Sequence, residues 1–467
     1  MYTGIVNSKS HDAPIIATGL PDLWLLTEEW LSPAAIKRIV ERTCEKEGFS
    51  PIFGRDEVSV EPVFKSGAFN FEYIVEGIRI GEIDAVRVVI VGGGGRHSFV
   101  DCLAYVSRGE PKPMEVPCLA VEVTKTTDSD TRNAGPGQRA IKFLAILEFY
   151  PEVERLYLQE PSRAGKFHET DSEKMDKRLL STVGVELDRT DQTGSSYQAF
   201  GSVKALISAS DQIKAPTTAT NVPMNISRNG SSAISITGKL LKSGKFGHDP
   251  NKGKLAVRAA AVRKLGHKGP IVVSNHGLSQ AMVGKCKFVR FCILNDVTID
   301  GLILPGLWPR RDYWKRIEAH EKVGTIFLHS ILEMAGFRIV FHNHGGCAKS
   351  DVKASDGHFE TVPKETLLPD LVVVDSMDQK VVLIEGEKET NAAAGRKQLE
   401  GFGDFENFLA KKLGYGEQPE RVVVTCGPGS SPPPGVALHL NTNTGCVTVS
   451  SDAPTCFQRA LELASTQ

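Results

Sequence analysis

No apolar run in this sequence approaches the roughly 20 residues that a membrane-crossing helix needs, which excludes an integral helical membrane protein. Its nine cysteines are scattered, odd in number and never in C-x-x-C spacing. That excludes a cysteine zinc framework and argues against a disulfide scaffold, so a reducing compartment is expected. The N-terminus lacks the basic start and apolar core of a secretory signal, and the chain is expected to be cytoplasmic, with no membrane partner. Charge of one sign is also missing. A formal net charge of −1 excludes a uniformly basic nucleic-acid coat, though not local basic patches. The run Gly92 to Gly95 lacks the helix-opening context of a phosphate loop and reads as a flexible hairpin tip.

What is present is an ordinary globular composition, 41% hydrophobic and 24% charged, in a chain of 467 residues, long enough for two or three domains. Ser32 and Pro33 open a helix that Gly48 closes. The stretch from Phe69 to Gly81 alternates as a strand, and apolar runs follow at IDAVRVVIV, SFVDCLAYV and PCLAVEVTK. A helical pattern covers QRAIKFLAILEFY, and VERLYLQE reads as a strand again. From Ser208 to Ser235 small and polar residues dominate without a period, as in a linker. Beyond it come a basic helix (NKGKLAVRAAAVRKLG), a long amphipathic helix from Arg311 to Gly336 with a break at Gly324, and strands at FRIVFHN, DLVVVD, KVVLIEGE and RVVVT. RKQLEGFGDFENFLAKKLG reads as a further helix. Expected, then, is an α/β chain: residues 1–207 as an N-terminal domain, 208–235 as linker, and 236–467 as a C-terminal domain, each with a mixed sheet flanked by helices.

The segment LPDLVVVDSMDQKVVLIEGEKE carries the chemistry. Two apolar runs flank a turn-forming stretch, and the midpoint between Asp370 and Glu385 falls inside it, at Met377–Asp378. In an antiparallel hairpin the two carboxylates face each other, with Cβ atoms about 5 Å apart, an arrangement that is unfavourable without a cation. Glu387 lies two residues on and points to the same face. Three converging carboxylates with no His or Cys among them describe a hard-cation site for magnesium. A second such pattern occurs in the first half. Asp101 and Glu122 have their midpoint at Pro111–Lys112, within another turn-forming stretch, and Thr124 and Lys125 follow. Each half then continues into a helix carrying a glutamine, Gln138 or Gln398.

Pro369-Asp370, a gap, then Glu385-x-Glu387-Lys388 resembles the PD-(D/E)XK nuclease superfamily, which includes most type II restriction endonucleases. The resemblance implies two restriction-endonuclease-like domains, with cores at about residues 69–160 and 311–426. It implies Mg2+ held by Asp370 and Glu385, and by Asp101 and Glu122 in the first half. Where such enzymes usually carry Lys, this sequence has Glu387 or Thr124. Glu387 is then a ligand or base, and Lys388 or Lys125 contacts the water or phosphate; a strict strand turns Lys388 to the opposite face unless a bulge intervenes. Such a protein hydrolyses double-stranded DNA at specific sites, as a monomer or homodimer, with a DNA methyltransferase as its companion. Alternatives are a repair, recombination or RNA-processing nuclease, or a DNA-binding protein with a degenerate nuclease fold.

Between Lys239 and Lys268 there are nine Lys or Arg residues and one acidic residue, an excess suited to phosphate contacts. Lys252, Lys254, Arg258, Arg263 and Lys264 are the candidates, with a solvated helix face as the equal alternative; Asn251 and Gly253 offer amide donors. Glu318 and Glu321 are surface charges or added metal ligands. Tyr313 and Trp314 pack, or stack on a base. His342-Asn343-His344 reads as a strand end, with neither a catalytic role nor a zinc site through Cys347 expected.

Overall fold

The computed structural model describes residues 19–54, 58–94, 99–126, 135–161, 170–191, 197–213, 225–230, 232–238, 251–275, 278–318, 320–344, 351–363, 366–375, 380–415 and 418–466. Its first half runs β1 (Asp22–Thr27), α1 (Pro33–Glu47), β2 (Pro51–Phe53), β3 (Ser59–Lys65), β4 (Ala68–Glu76), β5 (Ile78–Ile80), β6 (Val86–Gly93), β7 (Cys102–Ser107), β8 (Leu119–Thr126), α2 (Pro136–Ile146), β9 (Glu154–Pro161), α3 (Asp171–Thr182) and β10 (Val185–Arg189). Next come α4 (Val203–Asp211), β11 (Asn225–Asn229), β12 (Ala233–Thr237), α5 (Asn251–Lys264), β13 (Ile271–Val273), α6 (Lys287–Leu294), β14 (Val297–Ile299) and β15 (Trp314–Arg316). The remainder is α7 (Glu321–Met334), β16 (Arg338–His342), β17 (Asp351–Lys353), β18 (Phe359–Thr361), β19 (Leu371–Asp375), β20 (Lys380–Lys388), α8 (Ala392–Leu399), α9 (Gly403–Leu413), β21 (Glu420–Gly427), β22 (Leu438–Asn441), β23 (Val447–Val449) and α10 (Thr455–Thr466).

The chain is mixed α/β. A nine-stranded sheet runs β10-β9-β8-β7-β1-β6-β4-β3 with β15 added on β6, a six-stranded sheet runs β16-β19-β20-β21-β22-β23, and a four-stranded sheet runs β11-β12-β13-β14. The large sheets share a pattern that no short repeat announces. In the first, β1–β7 and β7–β8 are antiparallel, then β8–β9 and β9–β10 parallel. In the second, β16–β19 and β19–β20 are antiparallel, then β20–β21 and β21–β22 parallel. The hairpin comes first, and a helical crossover (α2, or α8 with α9) returns the chain parallel to the hairpin's second strand.

Local sequence accounts for several ends. Ser32 accepts from the Ala35 amide, Pro33 opens α1, and Gly48 at φ 76° stops it, as expected. The strand expected from Phe69 to Gly81 is broken at Gly77, φ 82°, into β4 and β5. The long helix expected from Arg311 starts only at Glu321, because Trp314–Arg316 is a strand on β6. Gly324 does not break it; this residue lies inside α7, and a Cβ there would sit 3.5 Å from the Thr425 carbonyl. Gly92 and Gly94, expected at a hairpin tip, are where β15 comes close: a Cβ on Gly94 would lie 2.2 Å from the Asp312 carbonyl oxygen.

Two expectations about organisation are corrected. The segment 208–235 holds the end of α4, all of β11 and the start of β12, so its described part is not a linker. The elements from β11 to β15 share one apolar core with α2, α3 and one face of the first sheet rather than with the second sheet. The opposite face of the first sheet shares a core with the second sheet through α1, α7 and α10, with Phe327 of α7 packed on Phe64 and Phe69. Helices α8 and α9 cover the outer face of the second sheet. Among the described residues no helix is long and apolar enough to cross a membrane.

The basic helix α5 also differs from its reading. Leu255, Ala256, Val257, Ala259, Ala260, Ala261 and Val262 are all buried, so apolar residues surround it on every side. It crosses α2 at Gly253, where a Cβ would lie 2.3 Å from the Gln138 carbonyl oxygen. Arg258 is 1% exposed and pairs with buried Asp176 at 3.1 Å, as does Lys254 at 3.1 Å. Arg263 spends its guanidinium fork on the carbonyls of Asn295, His267, Gly269 and Asp296. Arg258 and Arg263 are therefore structural, and Lys254 is held at a partner. Lys264 is exposed and Lys252 half-buried. Tyr313 and Trp314 pack: the Tyr313 hydroxyl accepts from the Val100 amide at 3.1 Å, and Trp314 Nε1 donates to the Tyr105 hydroxyl at 3.1 Å.

Candidate metal centre

Both sequence hairpins form, in the expected register. Leu371 pairs with Ile384 and Asp375 with Lys380, so continuing the ladder by one residue sets Asp370 opposite Glu385. The Asp370 amide donates to the Ile384 carbonyl at 3.1 Å, which holds that last rung. Cys102 pairs with Val121, which sets Asp101 opposite Glu122 in the same way. The likeness extends to an atom. The amide after the glutamate donates to the aspartate carboxylate in each half, Gly386 to Asp370 Oδ2 at 2.9 Å and Val123 to Asp101 Oδ2 at 2.9 Å. The turn residues Met377 and Asp378 lie outside the described residues.

What surrounds the two pairs differs. In the first half, α2 delivers Arg139 and Lys142, one helical turn apart, onto the carboxylates. Lys142 Nζ lies 2.8 Å from Asp101 Oδ1 and 2.9 Å from Glu122 Oε1, and Arg139 pairs with Glu122 and, at 3.5 Å, with Asp101. Two buried anions thus meet two cations. Lys142 and Arg139 hold the Asp101 carboxyl below its ordinary range against burial. Glu122 is pushed up to about 7, by burial first and the Asp101 charge second, with the same two cations pulling back. The expected Mg2+ ligands Asp101 and Glu122 therefore come together, but around the protein's own ammonium and guanidinium groups. Thr124 is buried beside them; Lys125 lies in β8, and its side chain is outside the described residues.

In the second half no Lys or Arg among the described residues forms an ion pair with Asp370, Glu385 or Glu387. The buried face of α8 offers Ala392, Gly395 and Leu399 instead of cations. A Cβ on Gly386 would lie 2.3 Å from Thr325 Cγ2, so this glycine lets β20 press against the first turn of α7 and brings Glu321 over the site. Glu385 is 4% exposed and its Oε2 is buried without a hydrogen-bond partner. Its carboxyl is pushed up to about 9, by burial first and then by Asp370, Glu387 and Glu321. Asp370 rises to about 6, mainly through burial, with the Gly386 amide and the Lys322 charge working against it and Glu321 and Glu387 adding to it. Burial and Glu321 raise Glu387 as well, while Asn391 and Lys388 pull it back. An oxygen-only donor set with an unsatisfied buried carboxylate oxygen fits a hard cation such as Mg2+.

Two details correct the sequence reading. The three carboxylates do not converge: among the described residues, no trio of carboxylates brings one oxygen from each within 4.8 Å of the others. Asp370 is drawn to the Gly386 amide, and Glu387 toward Asn391 and α8. No bulge returns Lys388 to the site either. The pairing of β20 with β21 runs unbroken from Val382 to Lys388, so Lys388 alternates to the face opposite Glu385 and is exposed.

The sequence reading missed Arg139 and Lys142, although the spacing in GQRAIKF puts both on one side of α2. It left Glu321 as a surface charge or an added ligand; the structure sets it at the acidic site. It passed over His329, whose signal was a lone imidazole in the apolar run IFLHSIL. Comparisons with family models, with curated proteins and with solved structures return no match for this chain.

Proposed function

We propose that this chain is a magnesium-dependent, site-specific endonuclease of double-stranded DNA, similar to type II restriction enzymes, with its chemistry in the second half. In this reading the two sheets are two restriction-endonuclease-like units, and only the second cuts. The observation that carries it is the buried, opposed pair Asp370 and Glu385, with which no Lys or Arg among the described residues forms an ion pair; Lys322 acts on Asp370 only through its longer-range charge. Leaving two carboxylates so placed is costly unless a cation joins them.

Asp370 and Glu385 hold the ion, and Glu321 at the head of α7 adds charge from the helix side. Bound Mg2+ supplies charge neutralisation at the phosphodiester and a more acidic water. Glu387, half-buried on the same strand face as Glu385, orients the attacking water and accepts its proton. Lys388, on the opposite face, is left to contact the DNA backbone outside the reacting centre. In the first half Lys142 and Arg139 occupy the equivalent position, and that unit serves DNA recognition.

Supercoiled plasmid incubated with the full chain and Mg2+ tests the reading. Discrete fragments, lost in Asp370→Ala and kept in Asp101→Ala, are expected. Degradation to a smear, or cutting of ends and flaps, turns the reading to another nuclease of this type. Retardation without cutting turns it to a DNA-binding protein, and full activity in Asp370→Ala removes the assigned site.

A further inference from the structure

A second cluster of ligand-type side chains lies two turns along the same helix. His329 of α7, His342 at the end of β16 and His344 just beyond it each bring one ring nitrogen within 4.8 Å of the others. His329 follows Glu321 by eight residues, a rise of about 12 Å, so the group is separate from the acidic site. His329 and His344 are 2% and 3% exposed, and His342 is half-buried. His329 Nδ1 and His344 Nε2 stand 2.9 Å apart, and the other nitrogen of His329, Nε2, lies 3.8 Å from the Glu333 carboxylate one turn on. Trp30 of the first half stacks on the His329 ring, with centroids 4.4 Å apart and planes at 25°, which fixes its orientation.

We propose that His329, His342 and His344 form a site for a zinc-class transition-metal ion, independent of the acidic centre and of the nuclease reading. The donor set is all imidazole nitrogen, which suits Zn2+, Co2+ or Ni2+ and not Mg2+. With metal–nitrogen bonds of about 2.0–2.1 Å, tetrahedral ligands stand about 3.3 Å apart, so the His329–His344 pair needs to open by only a few tenths of an ångström. His342, at the rim, has the freedom to close the third bond. The hydrogen bond between His329 and His344 is given up without net proton release. His329 takes the Nε2–H tautomer, directed at Glu333, which is the carboxylate–histidine–metal relay that orients buried metal ligands. The ion ties the strand end beside Asp370 to the middle of α7, and through Trp30 to the first half. Cys347 lies outside the described residues.

The test uses the full chain, stripped with chelator and then titrated with Zn2+ or Co2+, alongside His342→Ala and Glu333→Gln. Expected are one equivalent of tightly held zinc and visible d–d bands from four-coordinate Co2+ without a thiolate charge-transfer band. The equivalent should vanish in His342→Ala, and affinity should fall roughly tenfold in Glu333→Gln. His342 is half-buried, so its variant is expected to fold, and circular dichroism checks this. Should it unfold, His342→Gln replaces it. No bound equivalent in the wild type, equal binding in wild type and variant, or a thiolate spectrum such as exposed Cys446 would give, overturns the proposal.

Discussion

The two halves of this molecule build the same hairpin and finish it differently. Each sets an aspartate across from a glutamate, each gives the aspartate the amide that follows the glutamate, and each returns through a helix to a parallel strand. In the first half that helix carries Arg139 and Lys142, and the acidic pair is neutralised from within. In the second its buried face offers only Ala392, Gly395 and Leu399, with Arg396 and Lys397 elsewhere on the helix, and the acidic pair keeps its charge problem. The two glutamates register the difference. Both are buried and both face an aspartate, yet Glu122 is pushed to about 7 and Glu385 to about 9. The same backbone arrangement therefore ends in two different charge environments, and the side chains that the crossover helix turns toward the pair set the difference.

Exchanging single residues breaks the comparison most sharply. Asp370→Ala or Glu385→Gln should lower Mg2+-dependent plasmid cleavage by about 10³-fold or more, since these remove the ion that stabilises the transition-state charge. Glu122→Gln should leave the cleavage rate within about threefold if the first-half pair is purely structural. Its cost appears in stability instead. Lys142→Met leaves Asp101 and Glu122 short of one cation and should destabilise the fold by about 3 kcal/mol in urea titrations, with a similar loss for Arg258→Ala, which strands buried Asp176. Equal loss of activity in both halves would mean that both sites cut.

Ion binding gives an intermediate effect. Saturating Mg2+, at about 100 times its Kd, should stabilise the wild type by about 2.7 kcal/mol in thermal or urea unfolding. Glu385→Gln should abolish that gain and Glu122→Gln should not. The pH dependence follows with a defined sign. The Glu385 carboxyl rises in the folded state from 4.5 to about 9, and Asp370 from 3.8 to about 6. Between those limits the folded form holds protons that the unfolded chain has released, so metal-free stability falls as pH rises. For Glu385 the fall runs from about pH 4.5 to about 9, and Mg2+ or Glu385→Gln should flatten it. The smallest expected effect is at Glu321→Gln, roughly a tenfold loss of apparent Mg2+ affinity, read from the metal dependence of cleavage.

How much of this was legible beforehand follows the range of the interactions. Hairpin register was readable because a turn in the middle and apolar runs on either side fix which residues oppose each other, and Asp370–Glu385 and Asp101–Glu122 follow from counting. The cap of α1 was readable for the same local reason. Long-range packing was not. Nothing local in NKGKLAVRAAAVRKLG says that Arg258 will face Asp176, 82 residues away, and its arginines looked like a basic surface. Nor does TNVPMNISRNGSSAIS look like strands until a partner strand, Ile271–Val273, lies beside β12. His329 meets His342 and His344 only because β16 folds back along α7.

Crystals of the full chain with a duplex substrate and Mn2+ in place of Mg2+ put the central contrast to the most direct test, through an anomalous difference map. The account predicts a peak bridging Asp370 and Glu385 and none between Asp101 and Glu122, where Lys142 should remain. An empty second-half hairpin, or an ion that displaces Lys142 in the first, would contradict it.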